Sequence, residues 1–180
     1  MIFISLLISQ TELAIAILIG GKSTRFGSDK GIFQIRNRPM ISYQLDTLSK
    51  IDYKIFLVAK SKSQMHKYIN NIDIKPLTGF IIDETPNLKE KRIYSPLIGL
   101  YSLFKDLKKL NLSKVLVLSC DLPLIKQEII KYLLQFAEKY DCVIPRWQNG
   151  YLEPLCAIYS IKKGLKSSKS NIMSQNYKLT

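Results

Sequence analysis

The chain has 180 residues, 47% hydrophobic and 23% charged, which suits one folded domain with a sizeable core and excludes a disordered or collagen-like chain. Its 27 Lys and Arg against 14 Asp and Glu give a net charge of +13, a field that attracts small polyanions, yet no aromatic-basic module of a nucleic-acid reader is visible. One histidine and three scattered cysteines without a C-x-x-C pair argue against a transition-metal centre or a redox dithiol.

In chain order, Met1–Ile8 is apolar but has no basic leader or small-residue cleavage site, and it is too short to span a membrane. Residues 1–12 therefore read as an N-terminal extension, and residues 13–180 as a single domain. Leu13–Ile19 is a continuous apolar run, the mark of a fully buried strand. A glycine-rich segment follows, and then a helix over 39–50, with Pro39 where a first-turn proline is tolerated. A strand at 54–59 precedes a helix at 63–70, whose lysines predict an exposed His66. A strand at 79–82 leads into an irregular polar stretch, Asp83–Tyr94. A helix over 96–109, a strand over 114–119 and a helix over 125–139 come next. Strands near 141–145 and 155–160 complete the pattern, and the Lys/Ser/Asn-rich tail from Lys162 to Thr180 is assigned no element. Cys120, Cys142 and Cys156 lie in or beside apolar strands and read as small buried side chains. Strands alternating with helices predict an α/β fold in three layers, a mostly parallel sheet with helices on both faces. Ligands of such sheets bind at the carboxyl ends of the strands.

The segment Leu18-Ile19-Gly20-Gly21-Lys22-Ser23-Thr24-Arg25-Phe26-Gly27-Ser28-Asp29-Lys30 occupies that position. Its glycines let backbone N–H groups approach phosphate oxygens, and Arg25 and Lys30 add positive charge. Gly21-Lys22-Ser23 looks like the end of a P-loop, but Ala16 stands where the first P-loop glycine is required, and the residues between belong to a strand. The dinucleotide fingerprint G-x-G-x-x-G is also missing. A plain glycine-rich turn with a solvated basic face is the competing interpretation.

The spacing matches L-x-G-G-x-S-x-R-x-G-x-D-K, a nucleotidyltransferase signature. It resembles the molybdenum cofactor guanylyltransferases (MobA-like) of the GT-A-like nucleotidyltransferase superfamily, with a Rossmann-like fold. Further segments resemble that family in order: Pro39-Met40-Ile41-Ser42-Tyr43; Asp83-Glu84; Pro96-Leu97-Ile98-Gly99-Leu100; Cys120-Asp121-Leu122-Pro123; and Glu153-Pro154-Leu155-Cys156-Ala157-Ile158-Tyr159. The resemblance covers about residues 13 to 165.

What the resemblance implies is transfer of GMP from GTP to molybdopterin with release of pyrophosphate. Lys30, Arg25 and Asp121 would be catalytic, and Asp121 would hold Mg²⁺; its competing role is the N-cap of the next helix. Leu18, Ile19, Gly20, Gly21, Lys30, Asp83 and Asp121 would bind the nucleotide, with Asp83 on the guanine base. A carboxylate suits guanine because it accepts from N1–H and the 2-amino group together. The double glycine also favours the guanine branch, since the related cytidylyltransferases carry Ala-Gly. Glu153 and Pro154 are weaker candidates for substrate contact, Tyr159 reads as core, and an ion pair with Asp29 is the alternative role of Arg25. The expected partners are GTP, molybdopterin and apo-molybdoenzymes or other cofactor-biosynthesis proteins in the cytoplasm, without nucleic acid or membrane.

Several positions depart from the family. Ile19 replaces an alanine, Ser95 a glycine, and Glu153 a frequent glutamine; Ala59-Lys60-Ser61 lacks a frequent asparagine. The closing F-x-N-x-N-T-P-E-D-like segment is not found, which predicts a C-terminally truncated domain. Two other functions stay open: a nucleotidyltransferase of the same fold with another base or phosphorylated acceptor, such as a cytidylyltransferase, and a non-catalytic nucleotide-binding protein.

Overall fold

Six strands form one mixed sheet in the order β5-β4-β1-β6-β8-β7. They are β1 (Leu13–Leu18), β4 (Lys54–Ala59), β5 (Gly79–Ile82), β6 (Lys114–Ser119), β7 (Cys142–Val143) and β8 (Cys156–Ser160). β1 pairs in parallel with β4 and β6, and β4 with β5, while β8 runs antiparallel between β6 and β7. The computed structural model describes residues 12–20, 29–84 and 95–179. The expected extension over residues 1–12 thus lies outside the described residues except for Glu12.

β1 is at the centre, and every one of its residues is buried, as its unbroken apolar run requires. Period-2 alternation splits the core in two. Ile15, Ile17 and Ile19 face α1 (Met40–Leu48), α2 (Lys62–Ile69) and α4 (Gln127–Leu134). Ala14, Ala16 and Leu18 face α3 (Pro96–Lys109), whose Leu103, Phe104 and Leu107 cover them. α5 (Ile161–Met173) packs beside α3. The expected three-layer α/β architecture is therefore present, with helices on both faces.

The structure corrects the sequence reading in four places. The tail, assigned no element, contains α5: Ile161, Leu165, Ser168 and Ile172 recur at helical spacing, but their lysine and serine neighbours dilute the apolar signal. Gly164 lets α5 lie against α3, since a Cβ there would stand 2.7 Å from the Phe104 ring. The helix expected over 125–139 narrows to α4, because beyond Leu134 the chain tightens into i→i+3 turns such as Ala137 N–H to Leu134 C=O (3.1 Å). Cys142 is exposed rather than buried, because β7 is a two-residue edge strand with one neighbour; Cys120 and Cys156 are buried as expected. Finally, β2 (Gln34–Ile35) and β3 (Arg38–Pro39) form an unanticipated hairpin. Arg36 and Asn37 form its turn at φ 49° and 60°, the left-handed pair that a tight hairpin turn needs. His66 is exposed, as its lysine neighbours suggest.

Candidate active site

The carboxyl ends of β5, β4, β1 and β6 lie side by side, and they bring together residues far apart in sequence. Asp83 follows β5, Lys60 follows β4, Gly20 follows β1 and Asp121 follows β6. Asp83 and Asp121 are thus separated by three interstrand spacings, about 14 Å. A nucleotide laid across these strand ends would have its base at one carboxylate and its phosphates near the other.

At the β6 end, the Lys30 ammonium stands 3.4 Å from Asp121 Oδ2, and both side chains are partly exposed. Lys30 begins a single 3₁₀ turn, Lys30–Ile32, that packs against α1. One contact holds Asp121 directly, and a second steadies the residue that makes it. The other carboxylate oxygen of Asp121 accepts from the Ser119 hydroxyl, and the Ser119 carbonyl accepts from Gln44 Nε2 of α1 (3.2 Å). Asp121 does not cap α4, whose N-cap is Lys126, so the capping alternative is excluded. Cys120, next in sequence, is buried, and burial pushes its thiol up to about 11, which leaves it inert.

At the β5 end, Asp83 is fixed by its backbone. Its N–H donates to the Ala59 carbonyl (2.8 Å), and the Glu84 N–H donates to the Ser102 hydroxyl on α3 (2.8 Å). Its side chain lies in a narrow crevice lined by Leu18, Gly20, Val58, Ser95, Pro96 and Gly99. Two glycines make this crevice. A Cβ on Gly99 would stand 3.3 Å from Asp83 Oδ1, and one on Gly20 would stand 3.6 Å from Oδ2. Among the described residues, Oδ1 is buried without a hydrogen-bond partner. Burial accordingly raises the Asp83 carboxyl to about 6. A charged acceptor held without a donor is a costly arrangement, and a ligand that brings N–H groups relieves it.

The other expected site residues separate clearly. Leu18 lines the crevice, whereas Ile19 points to the opposite face and its side chain belongs to the core. The bulk that distinguishes Ile19 from alanine is therefore absorbed by packing. Both of its backbone groups are engaged, N–H to the Val58 carbonyl (3.0 Å) and C=O to Gln64 Nε2 (2.9 Å). Gly21 and Arg25 lie outside the described residues. Asp29, considered as a partner of Arg25, is engaged by Gln64 and Lys60. Ser95 caps α3, accepting from the Leu97 N–H (3.2 Å), which a glycine could not do. Glu153 accepts from Trp147 Nε1 (3.3 Å) in a turn whose Leu155 carbonyl accepts from the Ser119 N–H. Pro154 accepts from the Tyr159 hydroxyl (2.8 Å) and borders a cavity of about 340 Å³ between α3, α5 and β8 that holds none of Lys30, Asp83 and Asp121. Tyr159 is half-buried, with its ring edge-on to Phe104, in keeping with a packing role.

Sequence reasoning missed Gln44, Lys60, Gln64, Ser102 and Ser119. The last four carried weak signals: Ser119 precedes the Cys-Asp pair, Lys60 and Gln64 flank a helix cap, and Ser102 interrupts an apolar helix face.

The chain matches the family model of the MobA-like NTP transferase domain over residues 15–175. It is 37% identical over 152 residues to a probable molybdenum cofactor guanylyltransferase of Pyrococcus horikoshii, covering 83% of this chain and 70% of that protein. It is 30% identical over 165 residues to the molybdenum cofactor guanylyltransferase of Campylobacter jejuni, covering 92% and 76%. Among solved structures, molybdopterin-guanine dinucleotide biosynthesis protein A of Archaeoglobus fulgidus superposes with a TM-score of 0.71 at 22% identity, over 92% of this chain and 76% of that one, and supports the fold. With a family match across nearly the whole chain and a relative 37% identical over most of its length, this protein belongs to the MobA-like nucleotidyltransferases.

Proposed function

We propose that this protein is a guanylyltransferase acting in the cytoplasm, transferring GMP from GTP to the terminal phosphate of molybdopterin. The observation that carries the choice of base is the half-buried Asp83 carboxylate, whose buried Oδ1 lacks a donor among the described residues, in a crevice between Gly20 and Gly99. Guanine offers two adjacent N–H donors to such a carboxylate, while the Watson–Crick edges of adenine and cytosine each put an unprotonated ring nitrogen next to their amino group. The relatives' names support the same substrate pair.

In the reaction, an oxygen of the acceptor phosphate attacks the α-phosphorus of GTP. A P–O bond forms, the bond from the α-phosphorus to the α–β bridging oxygen breaks, and pyrophosphate leaves with that electron pair. Both reactants are anionic, so positioning and charge neutralisation supply most of the rate. Lys30 would face the developing charge on the phosphates. Asp121 would contribute to a Mg²⁺ site, and its chemistry fits: the carboxylate is partly exposed and anchored from below by Ser119. Among the described residues no group of three or more His, Cys, Asp or Glu could hold a metal unaided, which suits an ion completed by phosphate oxygens and water. When bound, the ion would neutralise triphosphate charge. The dinucleotide product would then pass to apo-molybdoenzymes or other proteins of cofactor synthesis.

The test is pyrophosphate release from GTP, CTP, ATP and UTP with Mg²⁺ and molybdopterin. Release led by GTP and abolished by Asp121→Ala supports the reading. Release led by CTP replaces it with cytidylyl transfer, and none with any nucleotide leaves a non-catalytic nucleotide-binding protein.

A further inference from the structure

Ser61-Lys62-Ser63-Gln64 has the form of a helix capping box, in which an N-cap serine pairs with a Glu or Gln three residues on. The serine behaves accordingly: Ser61 Oγ accepts from the Gln64 N–H (3.2 Å). The glutamine does more. The residue is only 2% exposed, and its carbonyl oxygen and both amide hydrogens are used. Oε1 accepts from the Lys60 N–H (2.8 Å), just before the cap. Nε2 donates to the Ile19 carbonyl (2.9 Å) and to Asp29 Oδ1 (2.8 Å). Ile19 and Asp29 stand at the two ends of the glycine-rich signature segment. One primary amide on α2 therefore joins both ends of that segment to the end of β4.

We infer that Gln64 is a positioning residue: it closes the stem of the signature segment and thereby sets Lys30 opposite Asp121. The inference rests on the nucleotidyl-transfer reading of the site. Asp29 is the link, because it is adjacent to Lys30, and its Oδ1 is held by Gln64 and also by the Lys60 ammonium (3.7 Å). A glutamate at position 64 would serve the helix cap equally well, since capping uses only an acceptor. Ionised, it could not donate to Ile19 or Asp29, and its charge would face the Asp29 carboxylate; protonated, it could meet only one of the two. The stem thus requires the amide, and the cap does not.

Gln64→Glu separates the two roles. Amide hydrogen exchange is followed in peptides covering Leu18–Gly20 and Asp29–Ile32, with α2 as the internal control, alongside pyrophosphate release from GTP. The expected result is faster exchange at both ends of the segment with α2 unchanged. Alongside it, kcat falls about 10- to 100-fold, the effect of leaving a buried donor–acceptor set unmet, with a smaller change in KM. Gln64→Met, which keeps the volume, loses the amide and adds no charge, should slow turnover in the same direction. Unchanged exchange at both ends overturns the inference. So does a variant whose only defect is a lower Tm, with the kcat of the folded fraction preserved. If the unmodified protein turns over no nucleotide, the guanylyltransferase reading fails, and the exchange comparison still decides whether Gln64 holds the stem.

Discussion

Asp83→Asn should make the unliganded protein more stable and cost it its nucleotide. Burial raises the Asp83 carboxyl from 3.8 to about 6. A carboxyl whose folded value is raised binds more protons folded than unfolded, so stability falls as pH rises from the unfolded value through about 6, then levels off. Two units correspond to about 3 kcal/mol at pH 8, an upper figure because the side chain is half-buried and Asn must still bury an amide. Asparagine mimics the protonated acid and removes the charge that burial penalises. Urea denaturation at pH 8 should show the variant more stable by up to that amount, and at pH 4 the two proteins should converge. Calorimetric titration with GTP should show the opposite cost, because the acceptor pair for guanine is gone. In the unmodified protein GTP affinity should rise as pH increases through about 6 and the carboxylate forms. A variant that is less stable at pH 8, or equally altered at both pH values, would refute the claim that Asp83 is charged with a buried, unmet oxygen. Stability given up at a binding site in this way is a familiar feature of functional residues.

Other outcomes follow from the same geometry. Lys30→Ala should lower pyrophosphate release about 10²–10³-fold, the scale of removing one electrostatic contact to a transition state. Thermal unfolding should barely move, because a partly exposed pair such as Lys30–Asp121 contributes at most about 1 kcal/mol. Gly31→Ala should destabilise by about 1–3 kcal/mol in urea denaturation, since the new Cβ would stand 2.4 Å from the buried Tyr68 hydroxyl. Adding Tyr68→Phe removes that hydroxyl and should recover part of the loss; no recovery would place the strain elsewhere.

Much of the fold was readable because its signals are local. The unbroken apolar run of β1, the proline and serine that start α3, and the glycine and acidic punctuation between elements all act within a few residues. The boundaries of α3 and β6 agree with expectation for that reason. α5 escaped notice because its inward stripe, the buried Ile161, Ser168 and Ile172 with the partly buried Leu165, is sparse among lysines and serines, and only α3 makes sense of it. Cys142 read as buried because a short apolar stretch does not announce whether its strand lies at the edge or the centre of a sheet.

By itself, the sequence determined the three-layer α/β class and the strand-end start of the glycine-rich segment, and its family resemblance pointed to Lys30, Asp83 and Asp121. Periodicity and residue chemistry are enough for the class and the placement, because a buried strand must end where its apolar run ends. The tertiary structure alone decided how these residues work together. The order β5-β4-β1-β6 sets Asp83 and Asp121 at opposite ends of one row, although Asp121 and Lys30 meet across 91 residues of chain. Parallel pairing, through crossovers no short motif encodes, created that proximity. It also buried Gln64 against Ile19 and Asp29, where an ordinary capping glutamine became the residue on which both ends of the signature segment are fixed.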